Sequence, residues 1–363
     1  MEMTPLWKIN NVIIFGFGLF SALYFAHSFF IPITFGIILS MLVLPLCKKM
    51  EDWGWSRGMA ITVCILVLIL SGILIVAVLA TPVAGFQKDL PQIQSSLNEK
   101  IHQAQKYISE NLNVSIEKQV SLFEQASSDM NSGGKSISGF LGGFIGFLTD
   151  IILVLVYIIF FLLNRERYED FVVKLTKNKG EEEVRNTLHR VSQVSVQYLV
   201  GRLLSIVILS ALYIIGLTAV GLKYAILLGS IAAFLTIVPY VGTFIGGLFP
   251  AAAAFFAGSG NPLLVLGVVF FVQLVDEYFI EPYIVGAKVN ISPLAAIVAI
   301  VIGGILWGVS GMILFIPLFG MAKIIFDQVP SLHPYGELIG VKQKSENNLM
   351  QKIKNFFKKI VNK

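Results

Sequence analysis

Gln273-Leu274-Val275-Asp276-Glu277-Tyr278-Phe279-Ile280-Glu281-Pro282-Tyr283-Ile284-Val285-Gly286-Ala287-Lys288-Val289-Asn290-Ile291-Ser292-Pro293 is the stretch on which the reading of this chain turns. It sits inside Leu203–Ala322, where the only other charged residue is Lys223. Clustered charge in apolar sequence that proline and glycine break up is how a membrane protein builds a polar site within hydrocarbon. On an α-helix Gln273, Asp276, Glu277 and Glu281, spaced three, one and four, share one stripe. Acids facing lipid are expensive, so the stripe is expected to face a wetted interior or a cationic partner. The competing reading ends the helix at Pro282 in headgroup water, with Glu277 and Glu281 as boundary charges.

Working outward, composition sets the class. Of 363 residues, 56% are hydrophobic and only 13% charged, about half the charge of a soluble domain. The chain is expected to be all-α and polytopic, with about eight membrane segments, some short or re-entrant, and amphipathic helices outside the bilayer. Cys47 and Cys64 lie in apolar runs without metal-ligand spacing and read as small buried hydrophobes. The net charge of +5 belongs to loops and tail, where lysine and arginine set orientation, so no nucleic-acid partner is invoked.

Residues 1–81 read as three membrane helices. Val12–Leu46 would be about 52 Å long as one helix, too long for a hydrocarbon layer of roughly 30 Å, so it is divided near His27 to Pro32. Residues 82–136 carry helical apolar stripes, Ile93 to Leu112 and Ile116 to Phe123, in polar sequence. A fourth span covers 137–163, with Gly139, Gly142, Gly143 and Gly146 as a candidate contact face and Asp150 as a helix cap or an interior polar site. A charged helical region, 164–200, precedes a C-terminal bundle, 201–328, and a basic amphipathic tail, 329–363. With the N-terminus in the cytoplasm, Lys48, Lys49, Arg57 and the 164–200 region fall inside and 82–136 outside. The tail then falls inside as well, suited to an anionic leaflet.

The candidate binding residues are Gln273, Asp276, Glu277, Glu281, Lys288, Asn290 and Arg202. The candidate hinges or helix breaks are Pro239, Tyr240, Gly242, Pro282, Gly286 and Pro293. Crowded carboxylates disfavour one another's ionisation, which is the chemistry of cation/proton exchange. Two transport readings stand open: export of a small polar metabolite or signal, and monovalent cation (Na+ or Li+)/proton antiport through Asp276, Glu277 and Glu281. A partner-binding scaffold built on 82–136 is a third. The sequence holds no Walker GxxxxGK[ST] motif, HExxH or GxSxG, and the reading calls for no enzyme activity, cofactor or metal.

Three stretches carry a resemblance. They are Tyr198-Leu199-Val200-Gly201-Arg202; Ile237-Val238-Pro239-Tyr240-Val241-Gly242 with Gly246, Gly247 and Pro250; and Glu281-Pro282 through Gly286 and Pro293 to Gly303-Gly304, Gly308, Gly311 and Pro317. Together they resemble the autoinducer-2 exporter family, the PerM-type permeases. The resemblance implies a bacterial inner-membrane transporter with both termini cytoplasmic, assembled as a homo-oligomer with five subunits as the candidate number. It also implies a secondary transporter, with export of the furanosyl quorum signal in some members and sodium or lithium/proton antiport in others.

Overall fold

Helices are the only secondary structure that apolar sequence of this kind can form alone, because each closes its own backbone hydrogen bonds where water is absent. The computed structural model describes residues 5–80, scattered positions between 99 and 110, and residues 137–176, 180–257, 261–286 and 290–341. The helices are α1 (Pro5–Phe25), α2 (His27–Asp52), α3 (Arg57–Ala80), α4 (Ile137–Leu163), α5 (Arg165–Leu175), α6 (Glu181–Ala219), α7 (Ala225–Leu235), α8 (Val241–Ala257) and α9 (Pro262–Val275). A π-helical segment (Asp276–Gly286), α10 (Pro293–Gln328) and α11 (His333–Ile339) complete the order. Among the described residues extended pairing is limited to one bridge, Ile291 with Gly340. Among the described residues, five helical stretches are long and apolar enough to cross a membrane. Large apolar side chains such as Phe17, Leu74 and Leu263 stand exposed on the outer surface, as a lipid-facing surface requires. The protein is an all-α polytopic membrane protein.

The breaks fall where the backbone demands them. The long first apolar run divides at Ala26 (φ −99°, ψ 26°), with Ala26 N–H bonded to the Ala22 carbonyl and Phe30 N–H to the Ala26 carbonyl. The division is therefore a local interruption one residue ahead of the expected stretch, and Pro32 lies buried inside α2. His27 is exposed at this junction, its Nδ1 2.9 Å from the Tyr24 carbonyl. Within α10 the backbone leaves helical geometry at Trp307 (φ −132°, ψ 15°) and Gly308 (φ 59°, ψ −138°). The chain folds back there, bringing Gly303 against the Gly311 backbone; a Cβ on either would strike the other's carbonyl. A φ of +59° is the left-handed region that glycine alone enters freely. Residues 293–306 and 309–328 are thus the two legs of a helical hairpin. α7 and α8 form a second hairpin, and 11-residue α7 rises only about 16 Å, half a hydrocarbon layer.

Lipid is as apolar as leucine, so burial of hydrocarbon does not drive these helices together; close packing and polar contacts do. Gly246 approaches the Ala232 carbonyl, where a Cβ would lie 2.5 Å from the oxygen, so α8 lies directly on the α7 backbone. Gly36 does the same for α2 against Tyr157 of α4. Cys47 and Cys64 are fully buried where α2 crosses α3, their thiols directed to the Ala60 and Val43 carbonyls at 3.8 Å. At one end of the bundle the chain is tied by charge. Arg165 forks onto Glu51, Arg57 pairs with Glu166, and Arg185 holds Glu169, Asp170 and Glu181 at 2.7–2.8 Å. Hydrogen bonding to Glu51 pushes the Arg165 guanidinium further above its ordinary range.

Asp150 corrects the expectation of a cap or interior site: α4 begins thirteen residues earlier, and Asp150 is exposed within it. α6 runs for 39 residues, carrying the charged region into the apolar bundle without interruption at residue 200. The described positions between 99 and 110 are helical. The glycine face of 139–146, the remainder of 82–136, and the tail from 342 lie outside the described residues.

Candidate functional site

α6 supplies the back wall of the site. Ser195, Tyr198, Arg202, Ser205, Leu209 and Tyr213 recur at three, four and their sums, so they form one buried stripe. Arg202 is 4% exposed, and its Nη1 donates to Glu281 Oε2 at 3.0 Å. Its Nε and Nη2 have no hydrogen-bond partner among the described residues, nor has the Tyr198 hydroxyl. A buried donor left in this state costs free energy, about 1–3 kcal/mol and more when charged, so it marks a place where a further acceptor would be stabilising.

The acids arrive on the π-helical segment. α9 continues into it without a turn, Asp276 keeping φ −61° and ψ −54°. The segment widens the helix to i→i+5 bonding, a form that recurs at functional sites. Five-residue stacking puts Asp276 and Glu281 on the same side, where an α-helix would have rotated them apart. Asp276 is 6% exposed, with Oδ1 lacking a partner among the described residues. Glu277 is exposed and Glu281 half-exposed. Gln273, one turn earlier, donates through Nε2 to the Thr243 carbonyl (2.9 Å) and the Tyr213 hydroxyl (3.3 Å), stapling α9 to α8 and α6. Gly247 makes room for it: a Cβ there would sit 3.2 Å from Gln273 Nε2.

The third wall is the turn between α7 and α8. Tyr240 sits at φ +63°, Gly242 N–H bonds the Val238 carbonyl at 2.8 Å, and a Cβ on Gly242 would collide with the Leu235 carbonyl. The three walls enclose a cavity of about 440 Å³, within the range of small-molecule sites. Arg202, Gln273, Asp276, Glu277 and Glu281 all line it, with Pro239 and Tyr240 from the turn.

Asn290 departs from that grouping. It stands at φ +54° in a separate polar cavity of about 220 Å³ with Arg190, Gln193, Gln197, Lys323 and Asp327. It stands nine positions beyond Glu281, past the end of the π-helical segment at Gly286. Lys288 lies outside the described residues. Pro282 falls within the π-helical segment and Gly286 ends it, whereas Pro293 opens α10 behind the Ser292 cap, whose Oγ accepts from Ala295 N–H at 3.2 Å.

The description AI-2E family transporter matches residues 13–331, the whole of this arrangement. The chain belongs to the AI-2E transporter family. Among its relatives, YueF of Bacillus subtilis strain 168 is 25% identical over 324 residues, covering 83% of this chain and 84% of YueF. TqsA of Escherichia coli K12, named an AI-2 transport protein, is 22% identical over 308 residues, covering 84% and 87%. YhhT of the same strain is 23% identical over 324 residues, covering 89% and 90%. This member of the AI-2E family is accordingly a multi-pass membrane protein of a transport family.

Sequence reasoning overlooked several residues of this AI-2E transporter's cavity. Thr243, Phe244, Leu248, Leu266 and Val269 line it, and Tyr213 holds Gln273. The Tyr198–Arg202–Ser205–Tyr213 periodicity was the available signal for α6. Lys323, embedded in an apolar run and paired with Asp327 at 2.5 Å, was the signal for the second cavity.

Proposed function

We propose that this protein is a secondary transporter that exports a small polar metabolite or signal across the plasma membrane, binding it in the cavity walled by α6, the α7–α8 turn and the π-helical segment. The observation that carries this reading is the buried Arg202, with two N–H-bearing nitrogens unpartnered among the described residues, lining one cavity with the likewise unpartnered Asp276 oxygen. A solute with acceptors for one and donors for the other would satisfy both. The Pro239–Gly242 turn, Pro282 and Gly286 in the π-helical segment, and Pro293 at the start of α10 supply hinges for alternating exposure. TqsA's name, AI-2 transport protein, supports transport of a small solute by analogy, at an identity too low to assign the same cargo.

Three carboxylates facing one arginine favour a second reading, Na+ or Li+/proton antiport. The polar collar of Glu51, Arg57, Arg165 and Arg185 supports a cytoplasmic location for that end of the bundle, and hence for the N-terminus. Flux in proteoliposomes tests both. Uphill movement of a polar solute, lost in Arg202→Ala, supports export; sodium-driven proton movement lost in Asp276→Asn supports antiport. Flux that no gradient can push uphill overturns both.

A further inference from the structure

The cavity's two faces differ in chemistry, and the difference constrains what it holds. Its inner face presents Asp276, Glu277 and Glu281 against the single guanidinium of Arg202. Negative charge is therefore in excess there. Its outer face is made of Tyr240, Phe244, Leu248 and Leu266, with Val269 between. These side chains have no oxygen to offer except the tyrosine hydroxyl, and Phe244 is 71% exposed.

A bare hard cation needs a shell of oxygen ligands. Here half the wall is hydrocarbon, and among the described residues no three Asp, Glu, His or Cys side chains converge to hold a metal ion. A neutral polyol would satisfy the polar wall and leave the apolar one with nothing to contact. A molecule with an ammonium group and an apolar body satisfies the acidic and the apolar wall, and an acceptor carried on that body would reach the two unpartnered Arg202 nitrogens. The ammonium donates to the free Asp276 oxygen, the body lies on Phe244 and Leu248, and the Tyr240 and Phe244 rings offer π-faces to the charge.

Resting on the reading of this cavity as the transport site, we infer that its solute class is amphiphilic organic cations: a primary ammonium joined to a small aromatic or aliphatic body. Asp276 is the anchoring carboxylate. Glu281 stays engaged with Arg202, Gln273 is held by Thr243 and Tyr213, and Glu277 is exposed, so Asp276 is the buried acid of the cavity with an oxygen unpartnered among the described residues.

The test uses the full chain in lipid nanodiscs, with 2-phenylethylammonium and its neutral near-isostere 2-phenylethanol as titrants. Saturable binding of the amine at least tenfold tighter than the alcohol is expected. Asp276→Asn should weaken the amine at least tenfold and the alcohol by no more than a few fold. Phe244→Ala, an exposed position that does not threaten folding, should weaken amine and alcohol alike by several fold. Equal binding of the two titrants, or no saturable amine binding by protein whose melting temperature shows it folded, overturns the inference. Its failure is separable from that of the transport reading. Amine bound in nanodiscs but never moved across proteoliposomes would retain the site and sink transport. A neutral polyol or sodium moved by vesicles in which the amine neither binds nor competes would retain transport and sink the amine.

Discussion

Arg202 and Glu281 meet at 3.0 Å across 79 residues of sequence, and their exposures are unequal: the arginine side chain is 5% exposed, the glutamate 43%. The pair joins the middle of α6 to the π-helical segment. The partner left behind by a substitution therefore suffers very different fates. A stranded Glu281 still reaches water, whereas a stranded Arg202 does not.

The first prediction uses that asymmetry. Glu281→Gln should lower the melting temperature more than Arg202→Gln, because it leaves the buried guanidinium without its only bonded partner among the described residues. Asp276 faces the same arginine and compensates in part, so Glu281→Gln with Asp276→Asn should destabilise by more than the sum of the singles. Thermal melts of the purified protein in detergent check both; strict additivity would show that the two acids act independently.

Gln273 carries the second prediction. Its amide ties α9 to the Thr243 carbonyl and the Tyr213 hydroxyl, and Gln273→Leu leaves that phenol and carbonyl without it. A loss of about 1–2 kcal/mol follows, together with reduced transport, since α8 and α9 form two sides of the cavity. Gly247→Ala should reproduce part of the effect by pressing on the same amide and on Val269, where a Cβ would meet Cγ1 at 3.0 Å. Unfolding equilibria and vesicle flux measured on both variants decide.

How much of this was legible in sequence differs from residue to residue. The all-α membrane class followed from composition, and the helix break near Pro239 followed from residues that do not readily continue a helix. The acid stripe was legible as residues and illegible as geometry. Spacings of three, one and four fit an α-helix, and nothing in side-chain type announces the i→i+5 ladder that stacks Asp276 over Glu281. Asn290 was grouped with the acids by proximity in sequence, yet backbone at φ +54° carries it to another cavity. Asp150 followed a false start, because a glycine-rich stretch of weak intrinsic preference is nonetheless helical from Ile137.

Adjacent glycines in the α10 hairpin give the third prediction. Gly303 faces the Gly311 backbone, which cannot yield, whereas Gly304 faces the flexible end of Met312, whose Cε would lie 2.8 Å from a new Cβ. Gly303→Ala should prevent the hairpin from closing and abolish folded yield. Gly304→Ala should cost little, since a methionine re-rotates readily. Size-exclusion profiles of the two variants expressed side by side provide the measurement, and equal behaviour would show that the hairpin does not pack as described.

The collar offers a prediction that leaves the cavity alone. Arg165 grips Glu51 with both ends of its guanidinium, Nη1 to Oε1 at 3.0 Å, and the two side chains are only 17% and 20% exposed. A shielded two-point pair of this kind is worth more than an open surface pair. Arg165→Ala should cost about 2 kcal/mol, with Glu51 left without its partner at the end of α2. Reversing both charges, Glu51→Arg with Arg165→Glu, should recover part of that loss, because the fork geometry survives exchange while the neighbouring Arg57–Glu166 pair then meets charges of the wrong sign. Full recovery would mean that the two pairs do not sense each other. No recovery would mean that the surrounding helix ends, and not the pair, set the stability of this junction. Amine or solute binding in the cavity should stay unchanged throughout, since no collar residue lines it.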